Sequence, residues 1–128
     1  MNDPHGNYSI KIEGSRAYAH ADAPFNTEGI SLFFDDLSHQ VKHLDHWVLI
    51  SSATADVGAT PGAIKFYNDR LVLLAEMGCI GAVSIMPNRM LVHLTNMVFD
   101  ASIIPQLTSN DPEEIESFVR ALLAPYET

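Results

Sequence analysis

Short apolar stretches alternate with amphipathic stretches along most of this 128-residue chain. Apolar residues at every second position, or in an unbroken run of a few residues, are typical of strands. Apolar residues that recur at every third and fourth position are typical of helices. From residue 47 onward the two patterns take turns. Strands that alternate with helices pair in parallel through right-handed crossovers, so we predict an α/β fold.

The predicted order of elements is β-β-α-β-α-β-α-β-α. A turn signal at Gly14-Ser15 joins the first two strands, which we expect to form a hairpin that adds one antiparallel strand to the parallel sheet. The predicted strands span residues 8–13, 16–22, 47–50, 79–85 and 103–108. The predicted helices span residues 27–44, 63–77, 89–98 and 112–123, and residues 51–62 form an irregular loop. The result is a small mixed sheet of four to five strands with about four helices.

The composition fits one domain, which we place at residues 8–124 between a loose tail at 1–7 and a short tail at 125–128. The formal net charge of −9 argues against nucleic acid and anionic membrane surfaces as main partners, because both are bound by clustered Lys and Arg. One cysteine, Cys79, cannot form an internal disulfide. The polar start and the lack of an unbroken apolar span predict a cytoplasmic protein without a signal peptide or transmembrane segment.

The chain carries none of the usual catalytic or phosphate-binding motifs, such as GxSxG, GxxxxGK[ST], GxGxxG, HExxH or CxxC. The carboxylates Glu113, Glu114 and Glu116 are interpreted as a solvated helix start. His20 stands alone in the sequence, and Cys79 has no His or Lys beside it that would activate a thiol. The sequence therefore predicts a protein that is not an enzyme and needs no cofactor. A structure in which His, Asp and Ser or Thr converge would overturn that prediction.

Two histidines offer a metal-binding hypothesis. His39 and His43 are four residues apart, so on a helix both project from one face and can reach a common zinc or nickel ion. Asp35 or Asp36 could add an oxygen ligand. The alternative is a pair of solvated surface histidines on the polar side of the predicted helix.

The region of the predicted third helix is rich in methionine. Soft, adaptable side chains of this kind line ligand pockets but also fill ordinary cores. An apolar pocket here would make the chain a small lipid-like-ligand binding protein, which is the alternative to a regulatory role. The pocket candidates are Met86, Met90, Met97 and Phe99.

Two of the predicted helices carry more bulky residues than one buried stripe needs. Leu32 is the surplus residue of the first helix, and Phe66 and Leu73 are those of the second. Phe66 and Leu73 are seven residues apart, nearly two full turns, and point away from the stripe that packs on the sheet. They predict either an interface, with a homodimer as the expected assembly, or a surface covered by neighbouring segments of the chain.

The order and spacing of the elements resemble the STAS superfamily, in particular its SpoIIAA-like branch of small, mostly uncharacterised bacterial proteins. The resemblance covers roughly residues 8 to 124. It is carried by the segments WVLISSATADVGATPGAIKFYNDRLVLLAEMG, AVSIMPNRMLVHL and IIPQLTSNDPEEIESFVRALL. It implies a mixed sheet of four or five strands with the helices mainly on one side, and a role as a non-enzymatic binding or regulatory module with a protein partner.

Regulatory members of that superfamily carry a phosphorylatable Ser or Thr where the loop meets the second helix. The resemblance places Thr60 at this position, within the segment from Asp56 to Gly62. The Asp that typically precedes the hydroxyl residue in those proteins is not found next to Thr60. The alternative is that Thr60 is an N-cap followed by a first-turn proline, Pro61.

Overall fold

The structure is a computed structural model that describes residues 7–21, 27–53, 61–85 and 104–127; for 27, 53 and 61–68 the description covers the backbone alone. Five strands form one sheet. They are β1 (Tyr8–Glu13), β2 (Arg16–Ala21), β3 (Trp47–Ala53), β4 (Cys79–Ile85) and β5 (Gln106–Ser109). The helices of the described residues are α1 (Thr27–Val41), α2 (Pro61–Glu76) and α3 (Pro112–Leu123), and a short 3-10 helix follows at Ala124–Tyr126.

The strands lie side by side in chain order. β1 and β2 are antiparallel, and each later strand is parallel to the one before it. The predicted α/β architecture with an opening hairpin and parallel crossovers is therefore confirmed, and the strand number is five. Three of the four predicted helices lie within the described residues. The predicted helix at 89–98 falls outside them.

The sheet is covered on both faces. On one face, buried residues of β2, β3 and β4 (Ala17, Leu49 and Ala82) pack in one core with α1 and α2. On the other face, residues from the alternate positions of β3 and β4 pack against α3. The resemblance implied helices mainly on one side; two of the described helices share a face, and α3 covers the opposite one.

α3 begins as its sequence predicts. Asp111 is the N-cap, and its side chain accepts a hydrogen bond of 3.0 Å from the backbone N–H of Glu113. Pro112 occupies the first turn, where its missing N–H costs nothing. Ile115, Val119 and Leu123 then fall on one buried side. The cap and the apolar spacing together explain why this segment is helical and which side faces the sheet.

Several boundaries differ from the prediction. α1 ends at Val41 rather than at residue 44, and the N–H of Leu44 turns back to the Val41 carbonyl at 2.9 Å. β3 does not stop at Ile50 but continues to Ala53, because the backbone of Ser51 and Ser52 still pairs with β4. Ladder hydrogen bonds use the backbone alone, so polar side chains do not end a strand.

The residues after α3, predicted as a tail, begin with the 3-10 helix. It places the ring of Tyr126 with its centroid 3.9 Å from that of His46, just before β3. The 3-10 helix thereby contacts the residue that directly precedes β3.

Candidate functional site at the carboxyl edge of the sheet

Strands β2 to β5 are parallel, so their carboxyl ends meet at one edge of the sheet. In open α/β sheets, ligands bind outside this edge at the point where the strand order reverses, whereas the five strands here follow chain order without a reversal. Near it, β3, β4 and β5 change from apolar to hydroxyl side chains in the same register. Ser51 pairs with Ser84, and Ser84 pairs with Thr108. We call these three residues the hydroxyl row.

The hydroxyl row faces α1 and α2, because its members alternate with residues that pack on α3 (Ile50 and Val83). Ser84 and Thr108 are buried, with 6% and 8% of their surface exposed, and Ser51 is half-buried. Burying a hydroxyl costs free energy unless it is hydrogen-bonded. Three hydroxyls in one register are therefore a departure from the apolar pattern of the strand centres.

One position further along, the edge carries a histidine and a serine in contact. His20 of β2 is the register partner of Ser52 of β3, and its Nδ1 lies 2.7 Å from Ser52 Oγ. Both residues are half-buried. They lie on the face that α3 covers, since the next residue in this register, Ile85, packs with the core of that face. The sheet itself fixes this pair, because each partner is held in its own strand.

Ser109 of β5 is the register partner of Ile85, but its hydroxyl is hydrogen-bonded to the backbone. Ser109 Oγ accepts a hydrogen bond of 3.0 Å from the backbone N–H of Asp111, at the start of α3. Ser109 is 3% exposed. Its role is to shape the turn between β5 and α3.

The His20–Ser52 pair was not predicted from the sequence, in which His20 stands alone and Ser52 falls in the predicted loop at 51–62. The two residues are 32 positions apart, and they meet only because β2 and β3 are neighbours in a particular register. The alternation of β2 does indicate that His20 lies on the same face of the sheet as Tyr18. Predicting the pair would also have required extending β3 to Ser52 and knowing its register with β2.

A second polar contact joins β2 to α3. Arg16 donates from Nη1 to Glu116 Oε1 at 3.0 Å, and its Nη2 lies 2.8 Å from Glu116 Oε2. The interpretation of Glu116 as part of a solvated helix start is therefore wrong. Its carboxylate forms a bidentate ion pair with Arg16. This hydrogen bonding raises the pKa of Arg16 above its ordinary value and lowers that of Glu116.

The depressed pKa of Glu116 predicts a pH-dependent contribution to stability. A carboxyl whose pKa is lower in the folded state stabilises the fold above its unfolded pKa, and this contribution is lost as the pH falls through the folded pKa. We expect Glu116→Gln to unfold at lower urea concentration than wild type at neutral pH. The difference should shrink at pH about 3, below the ordinary carboxyl pKa. Glu127→Gln, at an exposed position, is the control. A deficit that stays constant with pH would contradict this account.

Tyr8 and Asp36 tie the edge strand β1 to α1. The Tyr8 hydroxyl donates to Asp36 Oδ2, and the Tyr8 ring stands edge-on to Phe33 with centroids 5.4 Å apart. Burial and then the hydrogen bond to Asp36 raise the pKa of Tyr8 to about 12. Asp36, considered above as a metal ligand, thus has a structural partner.

The two histidines of the metal hypothesis are exposed. His39 lies in the last turn of α1, but His43 follows the end of that helix. The expected geometry of two imidazoles on one continuous helix is therefore absent. Among the described residues, no group of three or more His, Cys, Asp or Glu could hold a metal ion. The metal site stays a prediction.

Other predicted site residues fall outside what the structure describes: Thr60, Met86, Met90, Met97 and Phe99. The phosphorylation and apolar-pocket hypotheses therefore stay predictions. Phe66 lies in α2, but its side chain belongs to the part without a side-chain description. Leu73 of the interface hypothesis is 47% exposed.

Cys79 is buried at the start of β4. Its Sγ lies 3.3 Å from the carbonyl oxygen of Gly81, and burial raises the pKa of its thiol to about 11. A thiol with such a pKa is protonated at neutral pH and is a poor nucleophile. This agrees with the structural role that the sequence indicated.

Comparisons with protein-family models, with curated proteins and with solved structures gave no match to this chain. Within the described ranges, no helix combines the length and the apolar character needed to cross a membrane.

Proposed function

We propose that this chain is a non-enzymatic, STAS-like binding or regulatory module of the cytoplasm that works through protein contacts, with self-association into a homodimer as its simplest form. The fold part of this proposal is supported by the five-stranded mixed sheet with an opening hairpin, whose described elements follow one another in the order that the sequence predicted. The support for protein contact is a set of exposed apolar side chains on α1 and α2.

Three large apolar side chains define this surface, which we call the outer face of α1 and α2: Leu32, Val72 and Leu73. They are 46%, 46% and 47% exposed. Their orientation follows from the helices, because the buried positions of α1 and of α2 pack on the sheet. Val72 and Leu73 are neighbours on α2, and neighbouring exposed apolar side chains commonly mark a partner site.

The partner that we propose for this surface is a second copy of the chain. A two-fold axis brings the same surface of two copies into contact, so each copy would cover the outer face of the other. The face is small. The surface area of three half-exposed side chains is far smaller than the roughly 800 Å² that each partner contributes to a standard interface. We therefore expect a weak association that depends on protein concentration.

Charge opposes this association. Each copy carries a net charge of −9, so two copies repel each other. Salt screens repulsion between exposed charges and leaves apolar contact intact. A dimer built on the outer face should therefore strengthen when the salt concentration rises, whereas one held by ion pairs should weaken.

The test is Leu73→Glu in sedimentation equilibrium over a range of protein concentrations. A charge placed in an apolar contact should cost more than about 1.4 kcal/mol, so the dissociation constant should rise more than tenfold. Ser117→Glu, at an exposed position of α3 on the other side of the sheet, adds the same charge and should change little. A wild-type chain that stays monomeric throughout, or a dimer that tolerates Leu73→Glu, would count against self-association through this face.

A further inference from the structure

The contact between His20 and Ser52 joins a nucleophile type to a base type. Serine hydroxyls are weak nucleophiles until a neighbouring base takes their proton, and the sign of such activation is a hydrogen bond between the two side chains. The 2.7 Å between His20 Nδ1 and Ser52 Oγ is within this range. With the ring proton on Nε2, Nδ1 accepts the hydrogen bond that the Ser52 hydroxyl donates.

The sheet holds this pair in place before any ligand arrives. Both residues are in register on adjacent parallel strands, with the backbone of each fixed by ladder hydrogen bonds. Little further ordering is needed, and such preorganisation is a main source of reactivity in protein sites. Both residues are half-buried, so neither is fully enclosed.

The pair stands at the carboxyl edge of the parallel strands. It is also distinct from the other hydroxyls of this edge. Ser51 and Ser84 point to the opposite face of the sheet, and Ser109 is engaged by the backbone of Asp111.

We propose that Ser52 is a reactive serine, with His20 as its general base, that accepts an acyl group from small esters. In this step Ser52 Oγ forms a bond to the ester carbonyl carbon while its proton moves to His20 Nδ1. The carbon–oxygen bond to the alcohol then breaks, and the departing alkoxide takes the proton from His20. The product is an acylated Ser52 and a free alcohol. This inference does not depend on the proposed function. A binding module can be acylated once at Ser52 without being an enzyme, because a single modification needs no repeated turnover of substrate.

A fluorophosphonate probe tests the activation of Ser52, because its phosphorus accepts a serine oxygen and releases fluoride in the same way. The full 128-residue chain is incubated with the probe, and peptide mass spectrometry locates the adduct. We expect one adduct, on Ser52. Ser52→Ala should abolish it, and Ser117→Ala, at an exposed position of α3, should leave the labelling rate unchanged.

His20→Asn separates activation from mere exposure. Asparagine keeps a hydrogen-bonding side chain but cannot take up the proton, so the labelling rate should fall about 100-fold or more. Circular dichroism of each variant confirms that the sheet remains folded. Equal rates in wild type and His20→Asn, or an adduct on residues other than Ser52, would overturn the proposal.

The acyl step has its own readout. With p-nitrophenyl acetate, wild type should release one equivalent of p-nitrophenolate per chain and gain one acetyl group at Ser52. Ser52→Ala should show only the slow background release of the buffer. A release that Ser52→Ala does not reduce would show that acylation at Ser52 does not occur.

Discussion

Trp47→Ala should lower the free energy of unfolding by about 3–5 kcal/mol, the usual cost of removing a fully buried aromatic side chain. Trp47 begins β3, is 0% exposed and is the largest fully buried side chain of the described residues. It packs in the core between the sheet and α1 and α2. Its Nε1 also donates to the carbonyl of Met77 at 3.1 Å, so the substitution removes a hydrogen bond as well as apolar contact. A domain is stable by only about 5–15 kcal/mol, so the variant should be close to unfolding.

Urea unfolding followed by circular dichroism measures this loss, because the variant lacks the single tryptophan that fluorescence would report. Trp47→Phe separates the two parts of the effect. It keeps most of the ring packing but leaves the Met77 carbonyl without its donor, at a cost of about 1–3 kcal/mol. Val72→Ala, at an exposed position, should stay within about 0.5 kcal/mol of wild type. A loss for Trp47→Ala as small as this control would contradict the packing described for the core.

The sequence predicted best those elements in which a residue pattern indicates the type of element and turn or cap residues indicate its ends. β1 and β4 have the predicted bounds because alternation or an apolar run defines each strand and turn residues flank it. α3 follows from an Asp cap, a first-turn proline and a regular apolar spacing. Each signal is local, so it can be read without knowing the fold.

The end of β3 shows where local signals fail. Ser51 and Ser52 resemble a loop by composition, but their backbone is paired with β4, and this pairing depends on a strand about 30 residues further on. The candidate site shares this dependence. His20 and Ser52 form a pair only after the strand order and the register are known.

The Arg16–Glu116 ion pair is the longest-range case. The two residues are 100 positions apart, and the local pattern at Glu116 indicates only a helix start rich in acidic residues. What brings them together is the packing of α3 across the sheet, which is a property of the whole fold. Side-chain chemistry that links distant elements therefore could not be predicted from one sequence.

Among the glycines of the described residues, Gly78 combines a positive φ with a close backbone neighbour, so a small side chain there should be strongly destabilising. It follows α2 with a φ of +101°, a conformation that L residues avoid, and its N–H bonds to the Ala75 carbonyl at 3.2 Å. An added Cβ would also collide with the Asp45 carbonyl group, whose carbon would be 3.0 Å away. Because the Asp45 group is backbone, it cannot swing aside as the end of a side chain does.

Gly78→Ala should therefore lower the free energy of unfolding by about 2–4 kcal/mol, the sum of backbone strain and displacement of the Asp45 segment. The carbonyl of Gly78 accepts the N–H of Trp47 at 3.0 Å, so the displacement reaches the first residue of β3. Urea unfolding followed by Trp47 fluorescence measures it. Gly14→Ala is the matched control, since Gly14 has a φ of +59° but open space around an added Cβ, and strain alone should cost about 1–2 kcal/mol. Equal losses in the two variants would mean that the close approach of Asp45 to Gly78 contributes nothing.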